Sequence, residues 1–327
     1  MDWRSGFTAE YHLFVVNPDT WEDEREISMK SGSISRSLDG NLAESATLEL
    51  TEDIKESWVR AYLVARQDGS IERIPLFTGL TSVPKRDIDG RRESYSVDCY
   101  SVLKPASDRM TQLGEYVLAG TQAAGKAAEY LKKTGIRAEY AGNSPALADS
   151  IVAESGETYL TMALKLIDAI GWHLRISGSG KVSIEPYTND VRASFSGLDA
   201  DVVEPEVSDS RDWYSCPNVL RVVGSSHSVT VRDDAAVRAR GREIWAEESV
   251  TETQSESLTD YARRRLAELQ QATKTIEYTR RFNPDVRPGD LIRVSYPGIG
   301  IDGKYRVISQ DIELSFGCRT GEVSYEQ

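Results

Sequence analysis

The 327-residue chain has only three histidines and three cysteines, and both shortages narrow its chemistry. Cys99, Cys216 and Cys318 stand far apart with no C-x-x-C spacing, so neither a disulfide framework nor a zinc site is expected and all three read as free thiols. Cys99 alternates with Tyr95 and Val97, the position of a small core residue in a strand. His12 lies in an apparent strand, and His227 follows Gly224-Ser225-Ser226 in an apparent loop. His173 alternates away from Trp172 and Leu174 and is expected to look outward from its hairpin. None of the three is followed at short range by a second His or a Cys, as metal and nucleophile motifs require. No run of about 18 apolar residues exists, and Met1-Asp2-Trp3-Arg4 lacks the basic-then-apolar opening of a secretion signal. Neither membrane insertion nor secretion is expected. Basic residues are outnumbered 39 to 52, a net charge of −13. Because affinity for nucleic acid comes largely from Lys and Arg displacing counterions, stable DNA or RNA binding is disfavoured. The one basic cluster, Arg263-Arg264-Arg265, falls in an expected helix among Leu, Ala, Glu and Gln, and reads as a solvated face or an interface.

Known catalytic patterns are missing or out of context. The nucleophile elbow G-x-S-x-G does not occur. Gly298-Ile299-Gly300-Ile301-Asp302-Gly303 spells G-x-G-x-x-G, but it joins two expected strands and opens no helix, so no helix N-terminus faces a pyrophosphate. Gly120 with Gly125-Lys126 has the spacing of a phosphate-binding loop, yet Ala127 replaces the hydroxyl residue that would hold magnesium. With 52 acidic residues, any carboxylate pair is uninformative; the densest run, Glu22-Asp23-Glu24 beside Trp21, reads as a solvated loop. No catalytic, cofactor-binding or metal-binding residue is nominated.

What is present is a soluble composition, 39% hydrophobic and 28% charged, in a chain long enough for two to three domains. The expected class is α+β, mainly β, with three segments. Residues 1–110 alternate with period two, and Asp68-Gly69 and Asp89-Gly90 supply hairpin turns that tolerate positive φ. In residues 111–190 the period becomes helical. Thr121 is placed to cap a helix whose stripe is Ala124, Ala127, Ala128 and Leu131, ended by Gly135. Leu160, Ala163, Leu164, Ile167 and Ile170 form a second stripe stopped by Gly171, and Trp172–Ile176 with Val182–Ile184 make a hairpin. Residues 191–327 open with an acidic stretch to 215 that reads as a connecting excursion, then return to strands around one helix begun by the box Ser257/Asp260. Pro288-Gly289-Asp290 spells a type II turn launching a strand, and Asp302-Gly303 is expected to turn before another. The phrase Ile-Asp-Gly occurs at 88–90 and again at 301–303, a weak hint of duplication.

Several phrases, in this order, resemble the central baseplate hub proteins of phage tails, including those of prophages and the hub regions of type VI secretion spike proteins. They are Gly171-Trp172 to Pro186, Pro217-Asn218-Val219-Leu220-Arg221-Val222, Tyr261-Ala262-Arg263-Arg264-Arg265-Leu266, Arg287-Pro288-Gly289-Asp290-Leu291-Ile292 and Gly303-Lys304-Tyr305-Arg306-Val307. The resemblance implies two barrel-like tube domains flanking an inserted helix-helix-hairpin module, and a homotrimer forming a pseudo-sixfold ring. It further implies a non-enzymatic adaptor between a sixfold tail tube, or distal tail protein, and a threefold spike or tip protein. That adaptor would contact other baseplate proteins in a virion tail assembled in host cytoplasm. The acidic balance suits a lumen along which DNA slides. Two rivals belong to other classes: a tail-associated peptidoglycan hydrolase, and a carbohydrate-binding module using Trp21, Trp213 and Trp245 as stacking platforms.

Overall fold

The structure, a computed structural model, describes all residues except 39–41, 90, 91, 200, 201, 212, 215, 225, 226, 250–256 and 271–273. It divides into two compact units, residues 1–207 with 277–325, and residues 208–276.

In the first unit, β1 (Thr8–Val16), β2 (Asp23–Ile27), β3 (Met29–Ser37), β4 (Glu44–Leu50), β5 (Trp58–Gln67), β6 (Ser70–Thr81), β7 (Lys85–Asp89) and β8 (Arg92–Ser101) come first. Asp68 and Gly69 have φ of 47° and 80°, and Gln67 pairs directly with Ser70. Two successive left-handed residues match the right-handed twist of the strands they join, giving the tightest β5–β6 connection. Asp89 is the last residue of β7, opposite Arg92; Gly90 lies outside the described residues.

The helical module follows: α1 (Lys104–Asp108), β9 (Tyr116–Val117), α2 (Ala123–Lys132), β10 (Ala138–Tyr140), β11 (Ile151–Val152), α3 (Tyr159–Asp168), β12 (Trp172–Ile176) and β13 (Val182–Pro186). Both expected helices and the hairpin form. The small stripe of α2, Ala124, Ala127 and Ala128, is fully buried with Leu131, which lets α2 lie close against α3. Thr158 caps α3 reciprocally with Thr161. The cap of α2 differs from expectation: Gln122 occupies that position without a side-chain bond, and the Ser144 hydroxyl accepts from the Ala124 amide at 2.9 Å. A residue distant in sequence satisfies a donor that the local pattern assigned to Thr121.

Next come β14 (Val191–Ser196) and β15 (Val203–Arg211), where a connecting excursion was expected. β14 runs parallel to a later strand; Val191, Ala193 and Phe195 alternate along it, and of these Phe195 is buried. Unit two holds β16 (Val219–Val223), β17 (Ser228–Arg232), α4 (Asp234–Arg240), β18 (Trp245–Ser249) and α5 (Leu258–Leu269). Leu258, Ala262 and Leu266 of α5 pack on Leu220 and Val222 of β16. The Ser257 hydroxyl accepts from the Asp260 amide at 3.1 Å, so the start of α5 is capped as its sequence implies. The chain ends with β19 (Lys274–Arg281), β20 (Leu291–Tyr296), β21 (Ile301–Glu313) and β22 (Arg319–Glu326).

Fourteen strands join one sheet ordered β15-β19-β22-β21-β3-β4-β8-β6-β5-β1-β2, with β14 and β20 branching from β21, and β7 from β8. The expected α+β, mainly β class is met; the barrels are not. Among the described residues neither end of this order pairs back on the sheet. The first and last thirds instead meet in an antiparallel seam, from Ser309 opposite Ser37 to Glu313 opposite Ser33. Strand edges that closed barrels would have used on themselves are used between the thirds. One core follows: Leu13, Ile34, Leu48, Leu63 and Val97 pack with Phe282, Ile312 and Cys318. Each fully buried Leu or Ile there contributes about 2 kcal/mol.

The phrase Ile-Asp-Gly does not mark equivalent places. Asp302 and Gly303 lie inside the β20–β21 ladder, opposite Ser295 and Val294. The reversal falls earlier, where Gly298 and Gly300 have φ of 87° and 75°. Two glycines supply the left-handed positions before Asp302 is reached, so no turn is needed there.

Candidate functional site: a charged junction under the Pro-Gly turn

Pro288 fixes its own φ, and Gly289 follows with φ of 94°. The Asp290 amide donates to the Arg287 carbonyl at 3.1 Å, closing a type II turn. Asp290 is nevertheless more than a turn residue. Its side chain is 4% exposed. One carboxylate oxygen accepts from the Arg287 amide at 2.8 Å, and the pair of oxygens accepts both Nη groups of Arg175, on β12, at 2.7 and 3.2 Å. A bidentate guanidinium–carboxylate pair fixes angle as well as distance, so the helical module is locked to the start of β20.

The turn reaches the first third as well. Arg287 donates to the Ile176 carbonyl at 2.7 Å and to Glu44 at 3.3 Å, and Glu44, on β4, meets Arg36, on β3, at 3.2 Å. Arg36 also donates to the Leu76 carbonyl of β6 at 2.6 Å. Burial pushes the Glu44 carboxyl up, against the pull of Arg36 and Arg287, and burial lowers the Arg36 guanidinium, against the pull of Glu44. Partly relieved charges of this sort are stable only while every partner stays in place.

The hairpin tip of the module touches β6 backbone to backbone. The Thr78 hydroxyl donates to the Gly178 carbonyl at 2.7 Å, and a Cβ on Gly178 would lie 1.7 Å from the Pro75 carbonyl oxygen. Only glycine permits that approach.

His173 does not look outward. It is 7% exposed and stacks on Tyr187 with centroids 4.4 Å apart and planes 14° apart; the Arg306 guanidinium lies 4.8 Å from the Tyr187 ring. The face opposite Trp172 and Leu174, solvent in an isolated hairpin, is covered here by the turn: a Cβ on Gly289 would lie 2.8 Å from the His173 Nε2. Burial, with Arg175 nearby, lowers its pKa to about 4, so the ring is neutral at pH 7.

A second buried cluster knits the last third. Glu322, fully buried on β22, accepts from Arg280 at 3.1 and 2.5 Å, from Tyr278 at 2.5 Å and from Gln310 at 2.9 Å. Gln310 also donates to the Val286 carbonyl at 3.0 Å, just ahead of the turn.

Of the turn residues singled out from sequence, Pro288, Gly289 and Asp290 belong to the junction, and His173 packs against it. Asp68 and Gly69 form the β5–β6 turn, and Asp89, Asp302 and Gly303 lie in β7 and β21, away from the junction. No role was assigned from sequence to Arg36, Glu44, Arg175, Arg287 or Arg306, since the contacts that join the module and the first third to the turn, Arg175 with Asp290 and Arg287 with Glu44, span 115 and 243 residues with no shared local pattern. The arrangement is suited to holding parts in place: Asp290 and Glu322 are each engaged by several donors. Among the described residues, no group of three or more His, Cys, Asp or Glu has metal-binding geometry, and no helix is long and apolar enough to cross a membrane. The three tryptophans differ. Trp21 packs edge-on against Trp58, with the Arg137 guanidinium 4.5 Å from its ring, so it is no open platform; Trp213 and Trp245 are half exposed.

No protein-family model and no curated protein sequence matches the chain. Solved structures do. A tail protein from Neisseria meningitidis MC58 aligns with a TM-score of 0.70 at 17% identity, over 98% of this chain and 97% of that one. A 43 kDa tail protein of prophage MuSo2 from Shewanella oneidensis gives 0.67 at 16% identity, over 97% of each. The E. coli c3393 protein is a component of the type VI secretion system with structural similarity to the T4 bacteriophage tail proteins gp27 and gp5. It gives 0.52 at 10% identity, over 92% of this chain and 74% of that one. The chain therefore has the fold of phage tail proteins, in agreement with the resemblance carried by its ordered sequence phrases.

Proposed function

We propose that the chain is a structural subunit of a phage or phage-like tail, specifically a baseplate hub. The observation that carries this reading is the end-to-end sharing of a fold with two tail proteins, helical module included. The charged junction supports it. A subunit that transmits load between neighbours needs its parts fixed to one another, and here Arg36, Arg175, Arg287 and Asp290 tie three segments of the first unit together with short-range, directional bonds.

In the finer form of the proposal, three copies assemble into a pseudo-sixfold ring. The ring joins a sixfold tube to a threefold spike, and DNA or cargo passes through an acidic lumen. Work is done by buried interface, so no catalytic role is assigned. The partners are two further copies, the tube or distal tail protein, the spike or tip protein and other baseplate components, with the virion tail as the location.

Native mass measurement of the purified 36.4 kDa chain, alone and mixed with its tube and spike neighbours, tests this. Trimers alone or in the mixture are expected. A chain that stays monomeric in both overturns the ring. A cell-wall zymogram of the same preparation is expected to show no clearing; a clear zone lost on replacing one carboxylate favours the hydrolase.

A further inference from the structure

Residues 208–276 hold ten basic and eleven acidic residues, whereas the rest of the chain is strongly acidic. Within this near-neutral unit two adjacent aromatics stand at the surface: Trp213 is 50% and Tyr214 77% exposed. The Arg242 guanidinium sits 3.9 Å from the centre of the Tyr214 ring and is held there by donating to the Tyr214 carbonyl at 2.6 Å. Arg240 is fixed in the same way, by donating to the Cys216 carbonyl at 2.6 Å. Their backbone is set by α4, capped by Asp233 and closed by Gly241 at φ of 65°. Among the described residues neither Arg240 nor Arg242 forms an ion pair, and each guanidinium has further N–H groups beyond the one bonded to its carbonyl. The four side chains line a groove of about 440 Å³.

An exposed indole, and an exposed phenol ring that carries Arg242 on one face, beside two guanidinium groups held by backbone carbonyls match one ligand chemistry well. A pyranose ring offers an apolar C–H face to an aromatic and a rim of hydroxyl or carboxylate oxygens to fixed N–H donors. Nucleic acid fits less well, because its affinity needs a track of cations along the backbone, and the groove has two. We propose that Trp213, Tyr214, Arg240 and Arg242 form a saccharide-binding subsite. It is independent of the baseplate reading, since it concerns one unit's surface whatever ring the chain does or does not build. Trp245 is outside it; its indole N–H donates to Glu243 at 3.0 Å and Arg221 lies 5.3 Å from its ring.

The test uses the full-length chain on a printed array of bacterial surface polysaccharides and oligosaccharides, each hit being titrated by tryptophan emission. Binding to at least one glycan is expected, weakened about tenfold by Trp213→Ala and by Arg242→Lys, and unchanged by Trp245→Ala. Trp213→Phe, which keeps an aromatic ring, is expected to retain most of the affinity; this separates a stacking role from loss of fold, as does a circular dichroism spectrum of each variant. The proposal is overturned if the wild-type chain retains no glycan, or if binding survives both Trp213→Ala and Arg242→Lys. It is equally overturned if a single-stranded dT oligonucleotide binds in place of glycan with the same sensitivity.

Discussion

Asp290→Asn is nearly isosteric and removes only the charge that Arg175 grips. In the native protein that carboxylate is 4% exposed and Arg175 20% exposed, so the pair is mostly out of water and its two bonds are bidentate. Breaking such a pair leaves the Arg175 guanidinium with Glu185 at 3.6 Å in place of its bidentate partner, and removal of one partner of a buried pair typically costs about 3 to 5 kcal/mol. The partial exposure of Arg175 lets water reclaim part of this, which sets the expectation at about 3 kcal/mol. Arg175→Met keeps the stem and removes the charge, leaving Asp290 with the Arg287 amide at 2.8 Å and Arg192 at 3.8 Å; about 2 kcal/mol is expected because some partners remain. The double variant has no buried charge to strand, so its loss should be close to that of Asp290→Asn alone, a coupling of about 2 kcal/mol. Urea unfolding at pH 7 gives the free energies. Amide exchange at Val307, whose N–H is bonded to the Asp290 carbonyl at 3.0 Å, reports the same opening locally. Additive effects within about 0.5 kcal/mol, or unchanged protection at Val307 in both single variants, would refute the claim that this pair clamps the module to the sheet.

Glycine replacements should split by what a Cβ meets. Gly178→Ala drives a methyl to 1.7 Å from the Pro75 carbonyl oxygen, forcing the hairpin tip off β6 and breaking the Thr78 bond, for a loss of about 3 kcal/mol in urea unfolding. Gly125→Ala, inside α2 and no closer than 3.5 Å to Tyr140, should stabilise by a few tenths to about 1 kcal/mol. His173 gives a pH signature. Its pKa is lowered to about 4, chiefly by burial and then by Arg175, with Asp290 pulling the other way and Arg306 adding to the depression. The folded state thus binds fewer protons than the unfolded one between pH 6.5 and about 4. Stability is full above 6.5 and falls as pH drops through this window, by on the order of 3 kcal/mol. His173→Leu should flatten that part of the stability profile, and an unchanged slope would rule the residue out as its source. Burial pushes the Cys99 thiol up to about 12 and Cys318 up to about 11. A disulfide reagent at pH 8 is therefore expected to leave both unmodified until the chain is denatured, and labelling of Cys99 or Cys318 in the folded chain, located by peptide mapping, would contradict the packing described.

Elements with a strong local rule were legible in the sequence. The β5–β6 connection needs two left-handed residues and Asp68-Gly69 provides them; the stripe of α2 read correctly from spacing alone, while that of α3 held at Leu160, Ala163 and Ile167 but took in the partly buried Leu164, and Ile170 past the helix end, and missed the buried Met162 and Leu166. α4 was overlooked although its signals were present, since Asp233 accepts from the amides of both Ala235 and Ala236 at 3.0 Å and Gly241 closes it in the left-handed conformation. The strand β15 carried no such signal. Most of its residues are exposed, so its side chains have no apolar period and only pairing makes it a strand.

The junction and the sheet seam were hidden for a different reason, and the same reason replaced the expected barrels with one sheet. The Ser35 hydroxyl reaches Asp311 across 276 residues of chain at 2.5 Å, while Arg287 reaches Glu44 across 243. Period-two alternation states which face of a strand is buried but not which strand lies beside it, and a buried Arg or Glu reads in sequence as a solvated one. Two outer thirds each rich in strands were therefore compatible with two closed rings or with one shared sheet. The shared sheet prevails where Ile312, directly opposite Ile34 in the seam, can be buried only if β3 and β21 lie side by side. That constraint bears on any ring the chain forms. The outer thirds are joined by this seam, so the proposed ring requires them to present their contacts as one body. An inserted acidic residue at Ile312 should then disrupt assembly and folding together, rather than assembly alone.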